Sequence, residues 1–358
     1  MNFIYEFSEA NPEKFYLYLS LLLGFLYGFI AQREQFCFSG AIKDRILFGQ
    51  KKRSASLIVA ILTALLVTQF IAQKFEINLL DTRYYLNINY LLIPLGGMLF
   101  GFGMMISDGC SSRHLIKLAQ GERDSFFVLI SLGVFAFLTY TFLGYFGDLI
   151  YTSSLIGYFQ QETTFSLNIY FLSFVLVILL YISIQKIKNL LETWDGFLIG
   201  ILIAGGWFAT SYFINELFLD ESLQSFSFVY PLGKIVEYSY NKFETNILIF
   251  PVLLVISVIF GAFISSLFNP KYSKKQMCDT SSQNPPKLWL KMVGGACMGI
   301  GGILAVGCTV GQGLSGLSTL SFASLLAVSS IYVSAYVTAT LMKKRDALIA
   351  CFVFDFKK

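Results

Sequence analysis

Three cysteines in this 358-residue chain stand where apolar runs give way to small polar residues. Cys37 lies in Arg33-Glu34-Gln35-Phe36-Cys37-Phe38-Ser39-Gly40-Ala41, a stretch bounded by Lys43, Asp44 and Arg45. Cys110 closes a Gly-rich run and leads into Ser111-Ser112-Arg113-His114. Cys308 closes a second Gly-rich run and leads into Thr309-Val310-Gly311-Gln312-Gly313. A thiol is a weak, polarisable donor, suited to a soft acceptor such as sulfur. The hydroxyls of Ser111, Ser112 and Thr309, the backbone at Gly311 and the amide of Gln312 add harder donors. A helix restarting after each break would add a positive dipole end. Arg33, Arg113 and Lys117 supply charge of the matching sign. The chemistry that uses all of these is a soft anion passed from thiol to thiol. The candidate contact residues are therefore Cys37, Cys110, Cys308, Arg33, Ser111, Ser112, Arg113, Thr309, Gly311 and Gln312.

Two of these cysteines end copies of one pattern. Gly96, Gly97, Gly101, Gly103, Gly109 and Cys110 recur as Gly294, Gly295, Gly299, Gly301, Gly307 and Cys308, at a constant offset of 198. A second match, Gly24-Phe25-Leu26-Tyr27-Gly28 with Gly196-Phe197-Leu198-Ile199-Gly200, has an offset of 172. Carried forward, that offset sets Cys37 opposite Ala209. Duplicated and interrupted hydrophobic segments mark a transporter built from two repeats around a midplane site. The glycines at 96, 97, 101 and 103 are read as close helix packing rather than as ligand contacts.

The elements that must position these residues follow from composition. The chain is 56% hydrophobic and 13% charged, against about 25% charged in soluble domains. This reads as an all-α polytopic membrane protein, since each spanning helix needs about 20 apolar residues. Nine spans are predicted, near 15–32, 54–73, 90–107, 125–146, 167–185, 193–214, 245–267, 288–306 and 319–341. Residues 15–146 form the first repeat, 167–185 a connector helix and 193–341 the second repeat. The connector makes the repeats inverted, with broken or re-entrant segments. Lys51-Lys52-Arg53, the cluster at Arg113, Lys117 and Arg123, Lys186 with Lys188, the lysines of loop 269–287, and Lys343-Lys344-Arg345 fall on one side. The positive-inside rule makes that side cytoplasmic, with the N-terminus outside and the C-terminus inside. The net charge of +4 is spent on topology and does not indicate nucleic-acid binding. Met1–Pro12 lacks a basic leader and is not read as a cleaved signal.

Six cysteines with no CxxC spacing and one histidine give no zinc or redox-pair framework. Cys297 and Cys351 read as apolar filler, Cys278 as incidental in a loop, and Asp108 as a cap. His114 reads equally as a satisfied interfacial residue or as a ligand contact. No cofactor or metal is expected.

These residues resemble the YeeE/YedE family of membrane proteins. The likeness rests on Arg33-x-x-x-Cys37-Phe38-x-Gly40-Ala41-x-x-Asp44, on Asp108-Gly109-Cys110 and its following turn, and on Gly307-Cys308-Thr309-x-Gly311-Gln312-Gly313-Leu314-Ser315-Gly316. It spans about residues 15 to 341. The resemblance implies an hourglass-like inverted-repeat fold in a bacterial inner membrane and import of thiosulfate. It further implies three essential cysteines that pass the anion by S–H···S hydrogen bonds, and Cys37, Cys110 and Cys308 occupy those positions. Many family members work beside a small sulfur carrier of the TusA/SirA type, and none is expected to be appended here. Arg113-His114 departs from the small polar residues expected after the second cysteine, which leaves another sulfur or selenium species as an alternative substrate. In this reading Cys110 and Cys308 are the inner thiols and Cys37 is the third. A membrane thiol oxidoreductase or sulfurtransferase is a rival, disfavoured by the missing CxxC and cofactor motifs. A Cu(I) channel is another; cysteine suits the ion, but there is no methionine ladder, and cationic flanks would repel it. Few basic residues are expected on the outer face.

Overall fold

A computed structural model describes residues 12–153, 160–163, 166–184, 190–217, 223–241, 249–268, 278–279, 286–345, 347–348 and 350–351. The helices are α1 Pro12–Arg33, α2 Phe38–Phe48, α3 Lys52–Lys74, α4 Leu92–Ile106, α5 Ser111–Ala119, α6 Arg123–Ser153, α7 Ile169–Ile184, α8 Trp194–Leu217, α9 Val229–Tyr240, α10 Phe250–Phe268, α11 Leu288–Leu304 and α12 Phe322–Lys344. A π-helical turn, Gly311–Gly316, lies between α11 and α12. The protein is a multi-pass α-helical membrane protein. Among the described residues, seven helical stretches are long and apolar enough to cross a bilayer, and Ile169–Ile178 and Leu288–Leu304 are apolar but shorter. All nine predicted spans thus coincide with helices. The linker 269–287 and the lysines at 186, 188, 271, 274 and 275 fall largely outside the described residues.

The interruptions have a length consequence. The 15 residues of α4 and 17 of α11 rise only about 23–26 Å. Both stop short of a hydrocarbon core about 30 Å thick. Cys110 and Cys308, which follow them, are fully buried.

Glycine brings the long helices together. A side chain at Gly28 would overlap the Val258 carbonyl of α10, and one at Gly196 would overlap the Ser56 carbonyl of α3. Gly96 faces Gly301, and Gly103 faces Gly294. The principal helix pairs are α1 with α10, α8 with α3, α4 with α11, α6 with α11, and α12 with α4. This set is unchanged when α1, α3, α4 and α6 are exchanged for α8, α10, α11 and α12. The shorter pieces follow the same exchange. α5 packs on α6 and α10, as the π-helical turn packs on α12 and α3.

The exchange corrects one expectation. It matches α2, which packs on α3 and α12, with α9, which packs on α10 and α6. The residue heading α9 is Phe228, so Phe228 stands where Cys37 stands in the first half. Ala209 is buried inside unbroken α8. The second half inserts additional residues between its first long helix and its short one, so a constant offset fails beyond the helix that anchors it.

Candidate functional site

All three cysteines sit on one local device. α1 ends with Gln35 at φ 57°, α4 with Asp108 at φ 68° and α11 with Val306 at φ 58°. The next residue in each case returns its N–H to a carbonyl five residues back: Phe36 to Ala31 at 3.1 Å, Gly109 to Met104 at 3.0 Å, Gly307 to Gly302 at 2.8 Å. This is the left-handed helix stop that glycine usually supplies. Here Gln, Asp and Val supply it, and a β-branched residue at positive φ is strained. One residue further on, the cysteine opens a new helix. Its carbonyl accepts the N–H four residues ahead, from Ala41 at 3.1 Å, His114 at 3.0 Å and Gln312 at 2.7 Å.

The sulfurs therefore occupy N-cap positions. Cys37 Sγ accepts the Gly40 N–H at 3.3 Å and lies 3.0 Å from Ser39 Oγ. Cys308 Sγ accepts the Gly311 N–H at 3.3 Å. Cys110 Sγ lies 3.2 Å from Ser112 Oγ. All three thiols are free and buried, and Cys37 and Cys110 are near enough for their side chains to interact. Cys110 thus lies near Cys37, at the starts of α5 and α2.

Two hydroxyls at equivalent places have no hydrogen-bond partner among the described residues. Ser111 follows Cys110 and Thr309 follows Cys308. Both are at most 2% exposed, and neither hydroxyl has a hydrogen-bond partner among the described residues. An unmet buried hydroxyl costs about 1–3 kcal/mol, and each of these two has capacity for a hydrogen-bonding guest. Gln312 donates its amide N–H to the Ala305 carbonyl, and its Oε1 is likewise buried without a partner. The space above Gly311 is a polar niche: a Cβ there would stand 3.6 Å from Ser227 Oγ, 3.6 Å from Tyr84 Oη and 3.7 Å from Cys308 Sγ.

A cavity of about 140 Å³ opens beside this niche, lined by Arg83, Tyr140, Ser227, Tyr230, Val306 and Gly307 among others. The Arg83 guanidinium lies 5.0 Å from the Tyr230 ring and donates to Gln224 Oε1. Lys234 reaches over Tyr140 at 5.1 Å while pairing with Glu237 at 2.8 Å. Two cations, Arg83 and Lys234, thus stand near the cavity.

On the other side of the thiols the charges are internal. Asp108 is held by Lys43 of α2 and, at 2.7 Å, by Lys117 of α5. Lys117 also meets Glu122 at 3.4 Å. Arg53 pairs with Asp44 at 3.1 Å. Asp108 is therefore an ion-paired anchor and not only a cap. Arg113 is 4% exposed and acts electrostatically on Cys37, Cys110 and Asp108. His114 Nδ1 lies 3.0 Å from Ser125 Oγ, which donates to Glu122 at 2.8 Å. Arg33 is not brought to the thiols: its side chain is 57% exposed and lies 3.9 Å from Glu34. The reading from sequence missed Tyr27, Tyr84, Arg83 and Ser227, whose neighbours are all distant in sequence.

Residues 33–337 match the profile of a family described as Sulphur transport. The chain belongs to this family. It is similar to the thiosulfate transporter TsuA of Spirochaeta thermophila, 24% identical over 338 residues, covering 87% of this chain and 94% of that protein. It is also similar to the TsuA of Escherichia coli, 22% identical over 322 residues and covering 82% of this chain and 85% of that protein. A shorter stretch of 105 residues, 29% of this chain and 24% of the relative, is 24% identical to the probable transporter YedE of Escherichia coli. The YeeE/YedE resemblance is therefore confirmed, and with it a transporter of sulfur anions rather than an enzyme.

Proposed function

We propose that this member of the Sulphur transport family imports thiosulfate across the bacterial inner membrane through its three buried thiols. The observation that supports this most is the repeated device: three cysteines at three helix starts, two flanked by unpartnered hydroxyls. Thiosulfate carries one soft terminal sulfur and three hard oxygens. In this reading the thiols of Cys308, Cys37 and Cys110 meet the sulfur in turn. Ser111, Thr309 and the helix-start N–H groups meet the oxygens. The cavity at Arg83 is the outer entrance, and the Cys37–Cys110 pair is the inner end. The N-terminus lies outside and the C-terminus inside, where a TusA/SirA-type carrier would take the product.

Uptake of labelled thiosulfate by cells expressing the chain tests the reading. Unlabelled thiosulfate should suppress uptake, and sulfate and selenite should not. Suppression by selenite and not by thiosulfate would replace the substrate. Arg83→Gln should raise the half-saturating concentration about tenfold by weakening attraction of the dianion into a confined cleft. The difference between the two proteins should shrink as salt is added. Equal curves at all salt concentrations would remove Arg83 from the path.

A further inference from the structure

Four short helical segments occupy corresponding places in the exchange described above: α2, α5, α9 and the segment opened by Cys308. Three are headed by cysteine, and α9 is headed by Phe228. Phe228 has no donor to offer. Instead, with Phe226, it holds the ring of Tyr27 of α1. The Tyr27 ring centroid lies 5.3 Å from that of Phe226 and 5.5 Å from that of Phe228. Tyr27 is 1% exposed. A ring gripped by two others has its hydroxyl direction fixed.

Phe226 and Phe228 flank Ser227, whose Oγ borders the Gly311 niche together with Cys308 Sγ, so the Tyr27 ring packs beside that niche. Its hydroxyl interacts with Ser112 and, electrostatically, with Cys110, Cys308 and Cys37. Ser112 in turn lies 3.2 Å from Cys110 Sγ. A phenol both donates and accepts, so one contact with Ser112 leaves capacity for a guest. The exchanged position in the second half is Ile199, also fully buried, so the hydroxyl is not a requirement of packing at this place in the fold.

We propose that Tyr27 is a substrate-contacting residue, its hydroxyl donating to an oxygen of the anion as the anion's sulfur moves between Cys308 and the Cys37–Cys110 pair. The inference rests on the thiol-path reading and adds to it a fixed hard donor where the fourth thiol is missing. It divides recognition in two: thiols for the soft end of the anion, and a phenol for the oxyanion end.

The test compares Tyr27→Phe and Tyr27→Leu with wild type and Cys308→Ser, measuring initial thiosulfate uptake normalised to membrane-inserted protein. Tyr27→Phe keeps both ring contacts and removes one oxygen. Loss of a hydrogen bond to a charged group predicts a fall in uptake of about ten- to a hundredfold. Tyr27→Leu should fall at least as far. Normal uptake by Tyr27→Phe with impaired uptake by Tyr27→Leu would overturn the proposal, because packing alone would then account for Tyr27. Normal uptake by both tyrosine variants, with Cys308→Ser inactive, would overturn it while leaving the thiol path standing. Full activity of Cys308→Ser, or no thiosulfate uptake by wild type, would overturn the underlying reading and this inference together.

Discussion

Cys308→Ser, Cys110→Ser and Cys37→Ser should each lose nearly all thiosulfate uptake while accumulating as folded membrane protein. The expectation of intact folding is structural. Each cysteine opens a helix from an N-cap position, and serine is among the best N-caps. The Gly40 N–H and Gly311 N–H that now reach sulfur at 3.3 Å would find a hydroxyl oxygen instead. The expectation of lost function is chemical. A hydroxyl is shorter and harder than a thiol and is a poor partner for a polarisable sulfur. Each loss should be about a hundredfold, the upper end for one hydrogen bond to a charged group. In the proposed path the thiols act in series, so the double variant Cys37→Ser with Cys110→Ser should be little worse than either alone. Uptake close to wild type in any single variant would show that the corresponding thiol is structural filler.

Asp108→Asn should produce the largest loss of stability of any single charge change in the described residues. The Asp108 carboxylate lies between the ammonium groups of Lys43 and Lys117, and these side chains are 6% and 1% exposed. Removing one member of a buried ion pair costs about 3–5 kcal/mol, because the partner's charge is left buried and uncompensated. Lys117 retains Glu122 at 3.4 Å, so the greater loss falls on Lys43. Asparagine isolates the charge: it keeps the shape and tolerates the φ of 68° that Asp108 adopts. Thermal unfolding of the purified protein in detergent should show a clearly lowered midpoint. The double change of Asp108→Asn with Lys43→Met should recover part of it, since no lone ammonium then remains at that site. An unchanged midpoint in Asp108→Asn would mean that water or lipid headgroups reach these lysines. The ion pair also joins α2, headed by Cys37, to the residue two before Cys110. Uptake should therefore fall with stability in this variant, unlike in the serine variants.

How far the site was readable differs from residue to residue. The helix stops before Cys110 and Cys308 were legible because they repeat, with glycine one position before each cysteine. The identical stop before Cys37 was hidden, since Gln35 takes the left-handed position and no glycine precedes the cysteine. A non-glycine residue there is held only by surrounding contacts, which local sequence does not display. The paired glycines of α4 and α11 were rightly assigned to close helix approach, because small residues at turn spacing have few other uses in an apolar helix. Arg33 shows the opposite case. It lies four residues from Cys37, yet its side chain leaves the path, since nearness in sequence does not set direction across a helix end.

The sequence by itself determined the class of molecule, the nine apolar helices, the three cysteines and the family to which they belong. Those are properties of composition, run length and spacing, and each is carried by residues close together in the chain. Only the tertiary structure decided that Cys37 comes near Cys110, that Lys43 meets Asp108 and Arg83 meets Gln224, and that Tyr27 packs against two phenylalanines beside the Cys308 niche. Lys43 and Asp108 are 65 residues apart, and Arg83 and Gln224 are 141 apart. Partners so distant are chosen by the packing of whole helices, in which backbone-to-backbone fit at glycine sets the approach and the side chains meet as its consequence.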